Sequence, residues 1–138
     1  NVLEIVGLGQ ACEIAGRDLE KNMDQMQSHR DRLHRGLEAQ LGDIRLNGHY
    51  QQRLPNTLSI SFKGLEANRI LEEIADVVAA SAGAACHADS VEISHVLEAM
   101  GIALEWAKGT LRFSVGRMTT EAEIDKTIRV VAEALIGS

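Results

Sequence analysis

The chain has 138 residues, 45% of them hydrophobic and 25% charged, with a net charge of -6 at pH 7. That length suits one domain that buries roughly two thirds of its unfolded surface, so neither disulfides nor a metal is required for stability. An acidic balance with no run of Lys or Arg excludes nucleic acid as the main partner, and no apolar stretch approaches the ~20 residues of a membrane span.

The first forty residues predict one long helix or two. Leu19, Met23, Met26, Leu33, Leu37 and Leu41 form a single apolar stripe, and charged residues fill the other faces. Gly7, Gly9 and Gly16 weaken the early part and predict a kink or a close packing contact there, and Gly42 is a helix stop. Cys12, beside Ala11 and Ile14, reads as a core residue, whereas His29, His34 and His49 sit among polar neighbours and read as surface. Asn1-Val2-Leu3-Glu4 has no initiator Met, which reads as a piece cut from a longer chain.

Ile44 to Leu46 is a short strand closed by Asn47-Gly48. In Thr57 to Phe62, Leu58, Ile60 and Phe62 alternate with polar residues, as in a half-buried strand. A helix is expected from about Glu66 to Asp76. The run Val77 to Ser81, apolar on both faces, predicts a central strand. Ser90 is expected to cap a short helix through Met100, stopped by Gly101. Trp106 falls in a loop where it fills a gap or shields a cleft. Leu111, Phe113 and Val115 alternate with Arg112 and Ser114 in a further strand, and Thr120 with Glu123 forms a capping box opening the last helix, with Ile124, Ile128, Val131 and Leu135 inward. The order predicts an α+β fold: a small sheet of about three to four strands, helices packed on one face, preceded by a long N-terminal helix. The expected division is a helical lead-in over 1–42 and a small domain over 43–138.

Two residues carry possible chemistry. Cys86 lies in Ser81-Ala82-Gly83-Ala84-Ala85-Cys86-His87, a segment of small residues that permits mobility and entry into a cleft. His87 and a nearby helix start favour a thiolate. A small buried hydrophobe in an Ala-rich packing site is the alternative. Arg112, opposite the apolar face of its strand, presents its fork to a carboxylate or pairs with a neighbouring Glu. Cys86, His87 and His95 match no common zinc spacing, so no metal site is assigned. Gly7-Leu8-Gly9 lacks the third glycine and the preceding strand of a phosphate loop. Two cysteines form no disulfide framework and fit a reducing cytoplasm, and no signal-peptide pattern opens the chain.

Four stretches together resemble one family. Leu54-Pro55-Asn56-Thr57-Leu58-Ser59-Ile60-Ser61-Phe62 is similar to its PNTLNVSF-type strand, and Ser81 to Cys86 to its S-S-G-S-A-C loop. Ser94-His95-Val96-Leu97-Glu98-Ala99-Met100-Gly101 is similar to its SHVLRAMG helix, and Leu111 to Glu121 to its IRFSLGRFTTEEEID block. The family is that of the class V aminotransferase-like, pyridoxal-phosphate-dependent cysteine desulfurases, with the related selenocysteine lyases. The resemblance covers essentially the whole chain and implies the C-terminal small domain of a fold-type-I enzyme. It implies that Cys86 is the nucleophile and persulfide carrier, and that Arg112 holds the substrate α-carboxylate. It also implies a homodimeric full-length enzyme, a sulfur-acceptor or scaffold protein that receives the sulfur for iron–sulfur cluster assembly or other delivery, and a cytoplasmic location.

The sequence departs from the family in two ways. Ala85-Cys86-His87 replaces the usual Cys-Thr-Ser tail and resembles selenocysteine lyases and some desulfurases with His after Cys. The family's His-Lys cofactor anchor is missing, because none of Lys21, Lys63, Lys108 and Lys126 follows a His. The cofactor is therefore expected in a large domain outside this chain, with no covalent attachment to the chain and no activity of the chain alone. The alternatives are a selenocysteine lyase small domain and a stand-alone persulfide carrier or interaction module.

Overall fold

A computed structural model of the chain describes residues 1–87 and 90–137, with backbone alone over 84–87 and 90–92. Two helices open it, α1 over Val2–Arg17 and α2 over Leu19–Leu41. The break falls at Asp18, whose Oδ atoms accept from Arg17 Nε and Nη2 at 2.8 Å, and not at a glycine. Helix α1 buries no residue: Val2, Leu3, Ile5, Val6 and Leu8 are 64–82% exposed. Cys12 is exposed as well, so its expected place in the core is overturned. The apolar content of α1 has nothing within the described residues to pack against.

Four strands form an antiparallel sheet in the order β1-β2-β6-β3: β1 is Ile44–Leu46, β2 Thr57–Phe62, β3 Ser81–Ala82 and β6 Thr110–Ser114. The period-two alternation of β2 and β6 has its expected effect. Leu58, Ile60, Phe62, Leu111 and Phe113 all turn to one face. Onto that face pack α2, α3 (Ala67–Ile74) and α6 (Glu121–Ile136), through Leu33, Leu37, Ile70, Ile74, Ile124, Ile128 and Val131. This is the expected α+β sandwich. The crossing of α2 and α6 depends on Gly36, where a methyl group would overlap the Ile128 side chain.

The capping box of α6 forms as its sequence implies: Thr120 N and Oγ1 donate to Glu123 Oε2 at 2.8 and 2.9 Å, and Glu123 N returns a bond to Thr120 Oγ1 at 3.3 Å. Those bonds hold the Glu123 carboxyl below its usual range, because they favour its charged form.

Three expectations fail here for tertiary reasons. Val77 to Ala80 is not a strand. Val77 and Val78 donate to Ile74 O at 2.9 and 2.8 Å, closing α3 in a turn, while Val78 and Ala80 reach the core as a loop. Only Ser81 and Ala82 pair, and at the sheet edge. Ser90 to Ile93 is strand β5, paired with β4 (Ala84–His87) in a separate hairpin, so helix α4 starts later, over His95–Ala99. Its cap is Ser94, whose Oγ accepts from Val96 N at 3.3 Å. A second small cluster of Leu97, Ile102 and Ala107, with Ile93 and Trp106 against it, joins α4 to α5 (Leu104–Ala107).

Candidate functional site

The face of the sheet turned away from α2, α3 and α6 is polar. Cross-strand pairing puts Thr57 beside Ser114, Ser59 beside Arg112, and Ser61 beside Thr110. Ser81 on β3 flanks Arg112 from the other side. Arg112 is thus held by its backbone between two serines on a central strand, with its side chain exposed. Among the described residues no carboxylate pairs with it. A guanidinium left open in this way keeps its fork free for an incoming carboxylate.

One end of this polar face is buried. Asn47 Nδ2 donates to Ser61 Oγ at 2.8 Å, the Ser61 and Thr110 hydroxyl oxygens lie 2.7 Å apart, and Thr110 Oγ1 donates to Trp106 O at 3.3 Å. Each hydroxyl has one proton, so the donors run one way along the chain, from Asn47 to the Trp106 carbonyl. Periodicity marked Ser61 only as a polar residue of an alternating strand and did not reach Thr110. Their burial follows from α5 closing over that end of the sheet.

The β4–β5 hairpin carries Cys86, whose backbone lies opposite Val91. The Cys86 side chain lies outside the described residues. The hairpin is tied to the sheet at Gly83, whose N donates to Thr110 O at 2.7 Å and whose O accepts from Ser94 N at 3.2 Å. A Cβ on Gly83 would stand 2.7 Å from Thr110 Cβ and Cγ2 and 3.0 Å from Leu97 Cδ1, so only glycine fits. Cys86 stands five residues beyond Ser81, and five residues of chain span at most about 18 Å. The Cys86 backbone is therefore tethered within that length of the residue that pairs with Arg112. Of the Cys86, His87 and His95 grouping, only His95 has a described side chain, and it is exposed.

Elsewhere the structure buries charge that the sequence placed on the surface. His29 and His34 are buried, against expectation, while His49 is exposed and its Nδ1 accepts from Gln51 N and Gln52 N at 3.0 and 2.9 Å. Arg30, with a side chain only 4% exposed, donates from Nε to Asp31 Oδ1 at 2.9 Å and from Nη1 to Leu54 O at 2.7 Å. Arg53 Nη2 reaches the same Asp31 oxygen at 3.1 Å. Burial pushes the His34 pKa down, as it does that of Arg53, which also feels the charge of Arg30. The signal for this cluster is the return of the 49–54 loop onto α2, which helix periodicity does not carry.

The four lysines have separate surroundings. Lys63 Nζ is 3.6 Å from Glu105 Oε1 and lies over the Trp106 ring, Lys108 lines a depression with Gly64 and Leu104, Lys126 lines a groove with Val77 and Thr127, and Lys21 is exposed on α2. Among the described residues no helix is long and apolar enough to cross a membrane.

The chain is similar to known proteins over nearly all of its length. A "Cysteine desulfurase" of Nostoc sp. is 44% identical over 134 residues, covering 96% of this chain and 34% of the relative. A "Cysteine desulfurase IscS" of Klebsiella pneumoniae is 40% identical, covering 97% and 33%. The chain thus spans about a third of the length of these relatives. Among solved structures, a "NIFS-like protein" superposes on all of this chain with a TM-score of 0.84 at 29% identity, and a NifS-like protein from Rickettsia africae gives 0.83 at 26%; the chain covers 34% and 35% of them. The aminotransferase class-V family model matches residues 1–127, and the chain is a member of that family.

Proposed function

We propose that this chain is the small-domain part of a pyridoxal-phosphate-dependent cysteine desulfurase, with Cys86 as sulfur acceptor and Arg112 as carboxylate clamp. The observation that carries it is a strand-held Arg112, with no carboxylate partner among the described residues, on the strand to which the cysteine hairpin is tied at Gly83. Relatives that bear the desulfurase name along 96–97% of this chain support it. The division at residue 42 belongs to the same proposal, with 1–42 leading into the small domain of 43–138.

In this proposal Arg112 fixes the α-carboxylate of cysteine by two parallel hydrogen bonds and so sets where the substrate sulfur lies. The Cys86 thiolate attacks that sulfur. An S–S bond forms and the substrate's C–S bond breaks. The electron pair stays on carbon, which takes a proton and leaves as alanine, while Cys86 keeps the persulfide. Carbon is reduced and sulfur oxidised within one pair of reactants, so no external oxidant enters. The cofactor and its lysine are placed in the part of the protein outside this chain, because none of Lys21, Lys63, Lys108 and Lys126 follows a His. The chain alone is accordingly inactive. The exposed apolar surface of α1 suits cover by that missing part. A homodimeric enzyme, a cytoplasmic location and a protein that takes the persulfide complete the proposal.

The test uses the full-length enzyme. With cysteine as substrate, mass spectrometry should find one added sulfur on the peptide carrying Cys86, and Cys86→Ala should lose both the adduct and alanine release. Undiminished alanine release by Cys86→Ala would remove Cys86 from the mechanism. Adduct formation only when a second desulfurase supplies the sulfur would favour a carrier instead, and faster turnover of selenocysteine than of cysteine would favour a lyase.

A further inference from the structure

Thr110 touches the base of the cysteine hairpin and shares β6 with Arg112, although neither chemistry nor motif singles it out. It is 1% exposed and stands two residues before Arg112 on β6. Its carbonyl accepts the Gly83 N–H that starts the cysteine hairpin, at 2.7 Å. A Cβ on Gly83 would stand 2.7 Å from the Thr110 Cβ and Cγ2, so no side chain fits there. Its hydroxyl is clamped from behind, accepting from Ser61 at 2.7 Å and donating to Trp106 O at 3.3 Å, with Asn47 locking Ser61 in turn. A β-branched residue with both its hydroxyl and its methyl engaged has one rotamer available. The surface against which the hairpin base rests is therefore rigid. Arg112 does not depend on this clamp, because backbone pairing with Ser59 and Ser81 holds it.

From this arrangement we propose that Thr110 is a positioning residue: its buried hydroxyl chain seats Gly83, and Gly83 sets the path of the hairpin that delivers Cys86 to the substrate held by Arg112. The inference rests on the desulfurase reading above. It assigns the distance between nucleophile and clamp to a residue that touches neither substrate nor cofactor.

The experiment compares Thr110→Val, Thr110→Ser and Gly83→Ala in the full-length enzyme. Valine keeps the shape against Gly83 and removes the hydroxyl; serine keeps the hydroxyl. Misplacing a nucleophile by about 1 Å costs on the order of 100-fold in rate. Thr110→Val and Gly83→Ala should thus lower kcat for persulfide formation by roughly tenfold to 100-fold, with KM for cysteine changed less than about threefold, and Thr110→Ser should recover most of the loss. Independently of turnover, amide hydrogen exchange over 84–93 should speed up by about tenfold in Thr110→Val, with β1 and β2 unchanged. Thr110→Val with a lowered Tm but unaltered kcat and hairpin exchange would overturn the proposal and leave Thr110 a packing residue. Cys86→Ala separates the two claims. If it stays active the desulfurase reading fails, and if it is dead while Thr110→Val is normal only the positioning role fails.

Discussion

Replacing Arg112 by alanine tests the carboxylate clamp with little structural side effect. The side chain is exposed, and no described carboxylate pairs with it. Its backbone is held by pairing with Ser59 and Ser81, which the substitution keeps. Folding stability should therefore change by no more than about 0.5 kcal/mol. Substrate binding should change far more. Hydrogen bonds to a charged group are worth about 1.5–3 kcal/mol each in mutational series, and two of them at a solvent-accessible position count toward the lower end. A combined loss of about 2–4 kcal/mol corresponds to roughly 30- to 1,000-fold in kcat/KM. Because the clamp grips a group that does not react, the loss falls on KM more than on kcat. Arg112→Lys keeps the charge but not the fork and should lose about half of that free energy. The assay is steady-state alanine formation by the full-length enzyme over a range of cysteine concentrations, with thermal melts of each variant. An Arg112→Ala enzyme with unchanged KM and kcat/KM and an unchanged Tm would refute the clamp.

Two further predictions concern the fold that carries the site. Gly36→Ala gains about 1 kcal/mol of helix propensity, but the new methyl meets Ile128 Cγ1 and Cγ2 at 2.9 and 3.1 Å, carbons fixed by β-branching. Overpacking costs typically 1–3 kcal/mol, so the urea midpoint should fall at constant m-value; a stabilised variant would show that α2 and α6 can move apart freely. His34 has its pKa lowered by burial, so the unfolded chain binds its proton more readily than the folded one. Its contribution to stability is complete above the unfolded value of about 6.5 and is lost as pH falls from there through the folded pKa. His34→Gln should narrow the stability difference between pH 7.5 and 5.5 measured by denaturant titration, and an identical difference in both proteins would exclude His34 as the group responsible.

What the amino-acid sequence determines by itself is whatever is encoded within a few residues. The alternation in Thr57–Phe62 and Thr110–Ser114, the reciprocal cap of Thr120 and Glu123, and the stop at Gly101 with φ of 65° each depend on neighbours three or four positions away at most. The α+β order and the face on which Arg112 lies follow from those elements. Tertiary structure alone decided the rest. Val77 to Ala80 has the composition of a central strand, yet α3 closes as a turn at Val78 and only Ser81 and Ala82 find a partner in β6. Ser90 to Ile93 became a strand because β4 lies beside it, which moved the helix cap to Ser94. His29, His34, Arg30 and Arg53 are buried or shielded by chain packed against α2 from far along the sequence, and Cys12 is exposed because nothing among the described residues covers α1. The tie between the cysteine hairpin and the arginine strand belongs to this second class. It is a contact between Gly83 and Thr110, 2.7 Å long in space and visible only when β3 and β6 are paired.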